Sequence, residues 1–150
     1  MASRDVRLLR FQAGHGWEGV ERETYTRGPD GDRKWAGVTR QVLVGKQPCP
    51  TRFHVRYFEI EPRGYSSLER HEHSHFVIAV RGEGRAVVEA ASYRLAPLDA
   101  IHIGPWAVHQ FLNDGEEPFG FFCIVDSERD RPTTPPASDL QAALGAGAKA

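Results

Sequence analysis

Glu69-Arg70-His71-Glu72-His73-Ser74-His75 runs straight into the apolar stretch Phe76-Val77-Ile78-Ala79-Val80 and the turn Gly82-Glu83-Gly84. On an extended strand, residues two apart point the same way, so Glu69, His71, His73 and His75 would share one interior face. Imidazoles and a carboxylate converging there form a ligand set for Zn, Fe, Mn, Ni or Cu. His109 supplies a further donor from a later segment, Trp106-Ala107-Val108-His109-Gln110-Phe111-Leu112-Asn113. Lone histidines are most often solvated or structural. Three in alternation beside an apolar run weigh toward a metal.

Outward from that stretch the pattern is one of short strands with evenly spaced turns. Residues 76–81, 85–89, 93–96, 100–103, 108–112 and 119–125 read as strands of a sandwich or barrel. Upstream, 20–26, 35–44 and 52–61 read as strands, 6–11 as a weaker one, and 28–32 as a turn cluster. The runs 76–80 and 119–125 are apolar on both faces, which predicts burial on both sides. The fold class expected is all-β, a jelly roll of two packed sheets. Residues 1–51 are read as N-terminal strands with the capacity to exchange between two chains, and 52–126 as the barrel core with the metal site. Residues 127–150 are read as a largely irregular tail: 139–144 suggest a helical turn, and the last six residues are expected to be disordered.

The histidine stretch resembles the first sequence motif of the cupin family: Gly, five residues, His-x-His, three or four residues, Glu, six residues, Gly. Anchored on Gly82, the motif places His75 at the Glu position, His71 at the second His and Glu69 at the first, so His and Glu exchange places. Arg63 stands where the opening glycine belongs, with Gly64 one residue late. In the second motif (Gly, five residues, Pro-x-Gly, two residues, His, three residues, Asn) His109 and Asn113 match. Leu98 stands for the first glycine, Gly104 for the proline and Trp106 for the second glycine. These departures bear on turn shape rather than on metal binding. The likeness spans roughly residues 52–126 and implies a cupin barrel, but no particular reaction.

On this reading Glu69, His71, His75 and His109 hold one divalent metal per chain, Fe(II) or Mn(II) before Zn, Ni or Cu, and Glu69 doubles as a proton shuttle. A competing register makes His71 and His73 the His-x-His pair; it leaves the site one ligand short unless His75 bends in. In the first register His73 lies at the pocket mouth. Val77 and Phe111 share the parity of their ligand neighbours and are expected to line the pocket, as is one of Arg56 and Tyr57, which face opposite sides. Asn113 reads equally well as pocket or turn residue. Cys123, in a doubly apolar run, reads as a small core residue. The resemblance implies an enzyme acting on a small organic substrate, with a dioxygenase ranked first. A cupin isomerase or lyase and a non-enzymatic metal-retaining binding protein are the alternatives.

Composition bounds the rest. The chain has 150 residues, one domain's worth, with 19 Lys plus Arg against 20 Asp plus Glu. A net charge of −1 offers no field for nucleic acid or a membrane surface. Two cysteines, Cys49 and Cys123, form no CxxC pair. Charged residues interrupt the first eleven positions, unlike a secretory leader. A cytoplasmic protein is therefore expected, and the doubly apolar strands with the separate N-terminal segment suggest a two-fold homodimer.

Overall fold

A computed structural model describes residues 6–27, 34–45 and 50–150. The turn cluster at 28–32 and Cys49 lie outside the described residues. In chain order the strands are β1 (Phe11–Gln12), β2 (Gly16–Trp17), β3 (Glu23–Arg27), β4 (Lys34–Val44), β5 (Phe53–Tyr65), β6 (His75–Arg81), β7 (Gly84–Val88), β8 (Ala91–Leu95), β9 (Ala100–Ile103), β10 (His109–Leu112) and β11 (Phe119–Asp126). Among the described residues a single helix, α1 (Ala137–Gly145), follows.

The β1–β2 pair stands apart, and the other strands join one rolled antiparallel sheet. Its order is β8-β7-β10-β5-β11-β6-β9, with β4 attached to β5 and β3 to β4. Strand β5 is the hinge of the roll. Its residues 53–60 pair with β11, its last, Tyr65, pairs with Leu112 of β10, and β4 runs along its other edge from Val55 to Tyr65. The alternation of side chains then decides what meets inside. Phe58 stacks on Phe121 with ring centroids 5.6 Å apart, and Phe111 reaches Phe121 at 4.7 Å. Val77, Ala79, Ala86, Ile103 and Phe119 complete this core.

The two doubly apolar runs are buried on their inner faces alone. Phe76 is 42% exposed, and Ile78, Val80 and Ile124 are half-buried. Only part of that outer face is covered. Trp17, carried by the β1–β2 hairpin, meets Tyr57 edge-on at 5.1 Å and Phe122 at 5.9 Å. Gly120 makes room for Tyr57, since a Cβ there would lie 2.1 Å from its hydroxyl.

The tail departs from expectation. Helix α1 buries Ala143 against Val87, Val108 and Leu112, on the outer side of β7 and β10. The segment beyond it is fastened rather than loose. The backbone N–H of Lys149 donates to the Gln110 side chain at 2.7 Å, and Gln110 Nε2 donates back to the Lys149 carbonyl at 3.0 Å. A buried amide on β10 needs partners, and the alanines of the tail are small enough to bring the backbone to it. The low-complexity composition hid this, because docking here uses main-chain atoms.

The missing motif glycines have a common explanation. Arg63, Leu98 and Trp106 adopt φ of 68°, 74° and 63°, the left-handed conformation that glycine adopts without strain. Each follows a proline (Pro62, Pro97, Pro105), which presets the preceding torsion. At 96–99 the Asp99 N–H closes the turn on the Ala96 carbonyl at 2.9 Å, with proline second and the left-handed residue third, the pattern of a type II turn.

Candidate metal centre

Three imidazoles meet in the interior of the roll. His75 opens β6, His109 opens β10, and His71 sits on the connection between β5 and β6. That connection, expected as a strand, is irregular from 66 to 74 and is pinned at several points. Glu69 and His109 exchange backbone hydrogen bonds at 2.9 and 3.1 Å, Arg70 and Thr133 do so at 2.8 and 3.1 Å, and Trp106 N–H donates to the His71 carbonyl at 2.8 Å. The connection is thus stitched to β10 and to the tail, which fixes where His71 points.

Ligand atoms of His71, His75 and His109 all lie within 4.8 Å of one another, and all three residues are buried. The Nε2 atoms of His71 and His75 approach to 2.7 Å. The far side of each ring is already engaged: His71 Nδ1 donates to the His73 carbonyl at 2.8 Å and His109 Nδ1 to the Ala107 carbonyl at 2.9 Å. A carbonyl can only accept, so Nδ1 carries the proton and Nε2 keeps its lone pair. His75 Nδ1 lies 3.1 Å from Cys123 Sγ. Burial, with the crowding of a second imidazole at His109, pushes the pKa of His71 down to about 3, and burial drives that of His75 well below the ordinary value. Neutral, oriented imidazoles with inward lone pairs fit a divalent transition metal, and their carbonyl-held Nδ1 atoms are the outer support such ligands ordinarily have.

A second cluster adjoins the first. His73 stacks flat on His71, with centroids 3.6 Å apart and planes 4° from parallel. Asp130 holds it there, accepting from the His73 ring at 2.7 Å and from the backbone N–H groups of Glu72 and His73 at 2.8 and 3.1 Å. Burial lowers the His73 pKa, and Asp130 opposes that shift. His71, His73 and Asp130 form another group with convergent donor atoms.

These residues open on a cavity of about 210 Å³. The aromatic rings of Tyr25, Trp35, Phe58, Phe111 and Phe121 wall part of it, and Arg40, Arg56 and Arg129 also line it.

The family model described as "Cupin domain" matches residues 56–125. A protein of Rhodospirillum rubrum named 1-methylthio-D-xylulose 5-phosphate methylsulfurylase is 40% identical over 139 residues, 92% of this chain and 86% of its own. A solved cupin-2 domain from R. rubrum is 39% identical with a TM-score of 0.75, covering 87% of this chain and 85% of that one. The chain belongs to the cupin family. A cupin 2 conserved barrel protein of Rhodopseudomonas palustris superposes with a TM-score of 0.78 at 35% identity, covering 90% of each chain.

Within this cupin, the residues singled out from sequence divide. His71, His73, His75, His109, Glu69, Arg56 and Phe111 all reach the cavity. Tyr57 does not: it faces the outer side of the sheet and donates to Glu59 at 2.8 Å, so of the pair on β5 only Arg56 points inward. Val77 is fully buried but belongs to the apolar core, away from the cavity lining. Its parity with His75 holds, yet one step further along β6 already lies beneath the site. The Glu69 carboxylate accepts a hydrogen bond from Ser67 and is not among the donor atoms grouped with the three histidines. Asn113 serves the turn after β10, bonding the carbonyls of Ile60 and Glu117 and the N–H of Gly115.

Sequence reasoning missed Asp130, Arg129 and Arg40. The first two sit in a segment read as irregular, where charge suggested only solvent. Cys123 is a core residue, as read, but also the contact of His75 and Arg56. Burial raises its pKa, which keeps it a thiol.

Proposed function

We propose that this cupin is a metal-dependent enzyme acting on a methylthio-substituted ketose phosphate. The observation that carries the reading is the three-histidine cluster opening on a cavity with aromatic and arginine walls, in a chain 40% identical to the R. rubrum methylsulfurylase. A divalent ion, Fe(II) or Mn(II) first, held by His71, His75 and His109 would polarise the ketose carbonyl as a Lewis acid.

The chain's own residues do the rest. In such a substrate the methylthio group sits on the carbon next to the carbonyl. When the carbon–sulfur bond breaks, its electron pair is delocalised into that carbonyl, and the carbon then takes a proton. The methylthio sulfur passes to a nucleophile, for which a small thiol is the required class of co-reactant. Glu69, buried in the cavity and bonded to Ser67, is the group placed to hold and deliver the proton. Phe58, Phe111 and Phe121 offer the polarisable surface that a thioether prefers. The dioxygenase reading is supported by ligand composition alone and ranks second.

The test is incubation of Mn(II)- or Fe(II)-loaded protein with 1-methylthio-D-xylulose 5-phosphate and a small thiol, following the methylthio group by mass spectrometry. Transfer to the thiol is expected. No transfer, together with O₂ consumption on another small substrate, would overturn the reading.

Assembly and setting complete the proposal. The half-open outer face with Phe76 at 42% and Phe53 at 47% exposure supports pairing of two chains about a two-fold axis. Sedimentation at micromolar concentration should give twice the chain mass, and a monomer would count against it. The reduced, buried thiol of Cys123 supports a cytoplasmic setting. Among the described residues no helix is long and apolar enough to cross a membrane.

A further inference from the structure

Arg56, in the cavity wall, is poorly satisfied. It is 92% buried by its 8% exposure, yet its Nε finds no hydrogen-bond acceptor among the described residues. Its Nη2 donates only to a sulfur, Cys123 Sγ at 3.2 Å, and its guanidinium lies 5.1 Å from the Phe58 ring. A buried guanidinium left in that state is costly unless a ligand completes it. Arg129 lines the same cavity. Its Nη1 is held by main-chain carbonyls, Asp126 at 2.8 Å and Ser127 at 3.3 Å, with His54 at 3.2 Å. Arg40, the third, is tied to Glu23 from outside and stacks on Tyr25 at 4.9 Å. All three arginines line one cavity, and burial together with the charges of Arg56 and Arg40 lowers the Arg129 pKa.

Two carboxylates also line the cavity. Asp130 turns its oxygens to the backbone and ring at 72–73, and Glu69 accepts from Ser67. The arginine group is linked directly to the histidine cluster, because Cys123 Sγ touches Arg56 on one side and His75 on the other. An anion seated on Arg56 would therefore lie beside the metal ligands, with the rest of its molecule in the cavity.

We propose that Arg56, Arg129 and Arg40 form the receptor for the phosphate monoester of the substrate, holding its phosphorylated end so that the carbonyl end meets His71, His75 and His109. This rests on the reading of the site as one for a ketose phosphate and goes further, assigning the phosphate subsite and the direction of binding. Guanidinium suits the role: its planar fork matches phosphate oxygens, and three of them answer a dianion.

The test is calorimetric titration of metal-loaded protein with inorganic phosphate, D-ribose 5-phosphate and D-ribose, on wild type and on Arg56→Met, Arg56→Lys and Arg129→Met. Both phosphates should bind and ribose should not. Affinity should fall roughly 10- to 100-fold in Arg56→Met and Arg129→Met, and less in Arg56→Lys, as expected for lost charge-assisted bonds. Metal content should stay at one per chain. Arg56→Lys and Arg129→Met carry the test should Arg56→Met fold poorly. Wild type that binds the phosphates no better than ribose would overturn the proposal, as would phosphate affinity unchanged in both Arg56→Lys and Arg129→Met. Arginine-dependent phosphate binding without methylthio transfer would leave this subsite standing and remove the proposed reaction. Methylthio transfer with KM unchanged in both variants would remove the subsite and leave the reaction.

Discussion

Replacing Gln110 with alanine should destabilise the protein through the tail. Gln110 is 1% exposed and sits between His109 and Phe111 with its side chain on the opposite face of β10. It makes three hydrogen bonds: Nε2 to the Ser66 carbonyl at 2.7 Å, Nε2 to the Lys149 carbonyl at 3.0 Å, and Oε1 from the Lys149 N–H at 2.7 Å. At about 1 kcal/mol net for each, Gln110→Ala should cost roughly 3 kcal/mol. For a chain of this length that is a fall in Tm of roughly 6–12 °C. Ending the chain at Ala148 removes two of the same three bonds and should cost roughly 2 kcal/mol. Because those two are shared, the double variant should lose little more than Gln110→Ala alone, a coupling of roughly 2 kcal/mol in a double-mutant cycle. Urea unfolding measures each corner, and hydrogen exchange at the Lys149 amide reports the contact directly. A coupling below about 0.5 kcal/mol, or a Lys149 amide that exchanges as freely in wild type as in Gln110→Ala, would refute the docked tail.

Three further expectations concern the site and its turns. Metal content should fall to near zero in His109→Ala and stay near one per chain in His102→Ala, an exposed histidine on β9; His73→Ala should retain metal, and loss there would favour the His71/His73 register. Metal-stripped protein should lose stability on acidification. His71 is held at about 3 in the folded state against an ordinary 6.5, so between those values only the unfolded chain takes up the proton, and stability present above 6.5 is lost as the pH falls toward 3. A urea midpoint that is flat or rises from pH 7.5 to pH 5 would contradict this. Leu98→Gly should stabilise by roughly 0.5–1 kcal/mol, because the left-handed residue of the turn is 82% exposed and gives up little packing; thermal melting checks the sign.

The barrel was legible because its strands alternate and its turns are marked; the runs at 100–103 and 119–125 fall within a residue of β9 and β11. The site was legible to the extent that its ligands are of unusual type. Their spacing misled in one respect. Regular alternation from Glu69 to His75 implied a strand, whereas residues 66–74 are shaped by bonds to β10 and Thr133, partners that lie 40 to 63 positions away in sequence. Asp130 and Arg129 were invisible for the same reason, since only the fold brings 129–133 beside 70–73. Tyr57 and Val77 show the limit of parity: it tells which residues share a face, not which face meets the cavity.

The left-handed residues after Pro62, Pro97 and Pro105 bear on how kinship is recorded in a chain. A motif written with glycine stores a torsion angle under the name of an amino acid. Here the angle is present without the name, and a proline presets the torsion before it. A comparison scored by residue identity debits this chain at Arg63, Leu98 and Trp106, where the backbone holds the left-handed torsion that glycine adopts without strain. Reading such positions as proline followed by any left-handed residue would extend the motif to barrels that a search for glycine passes over.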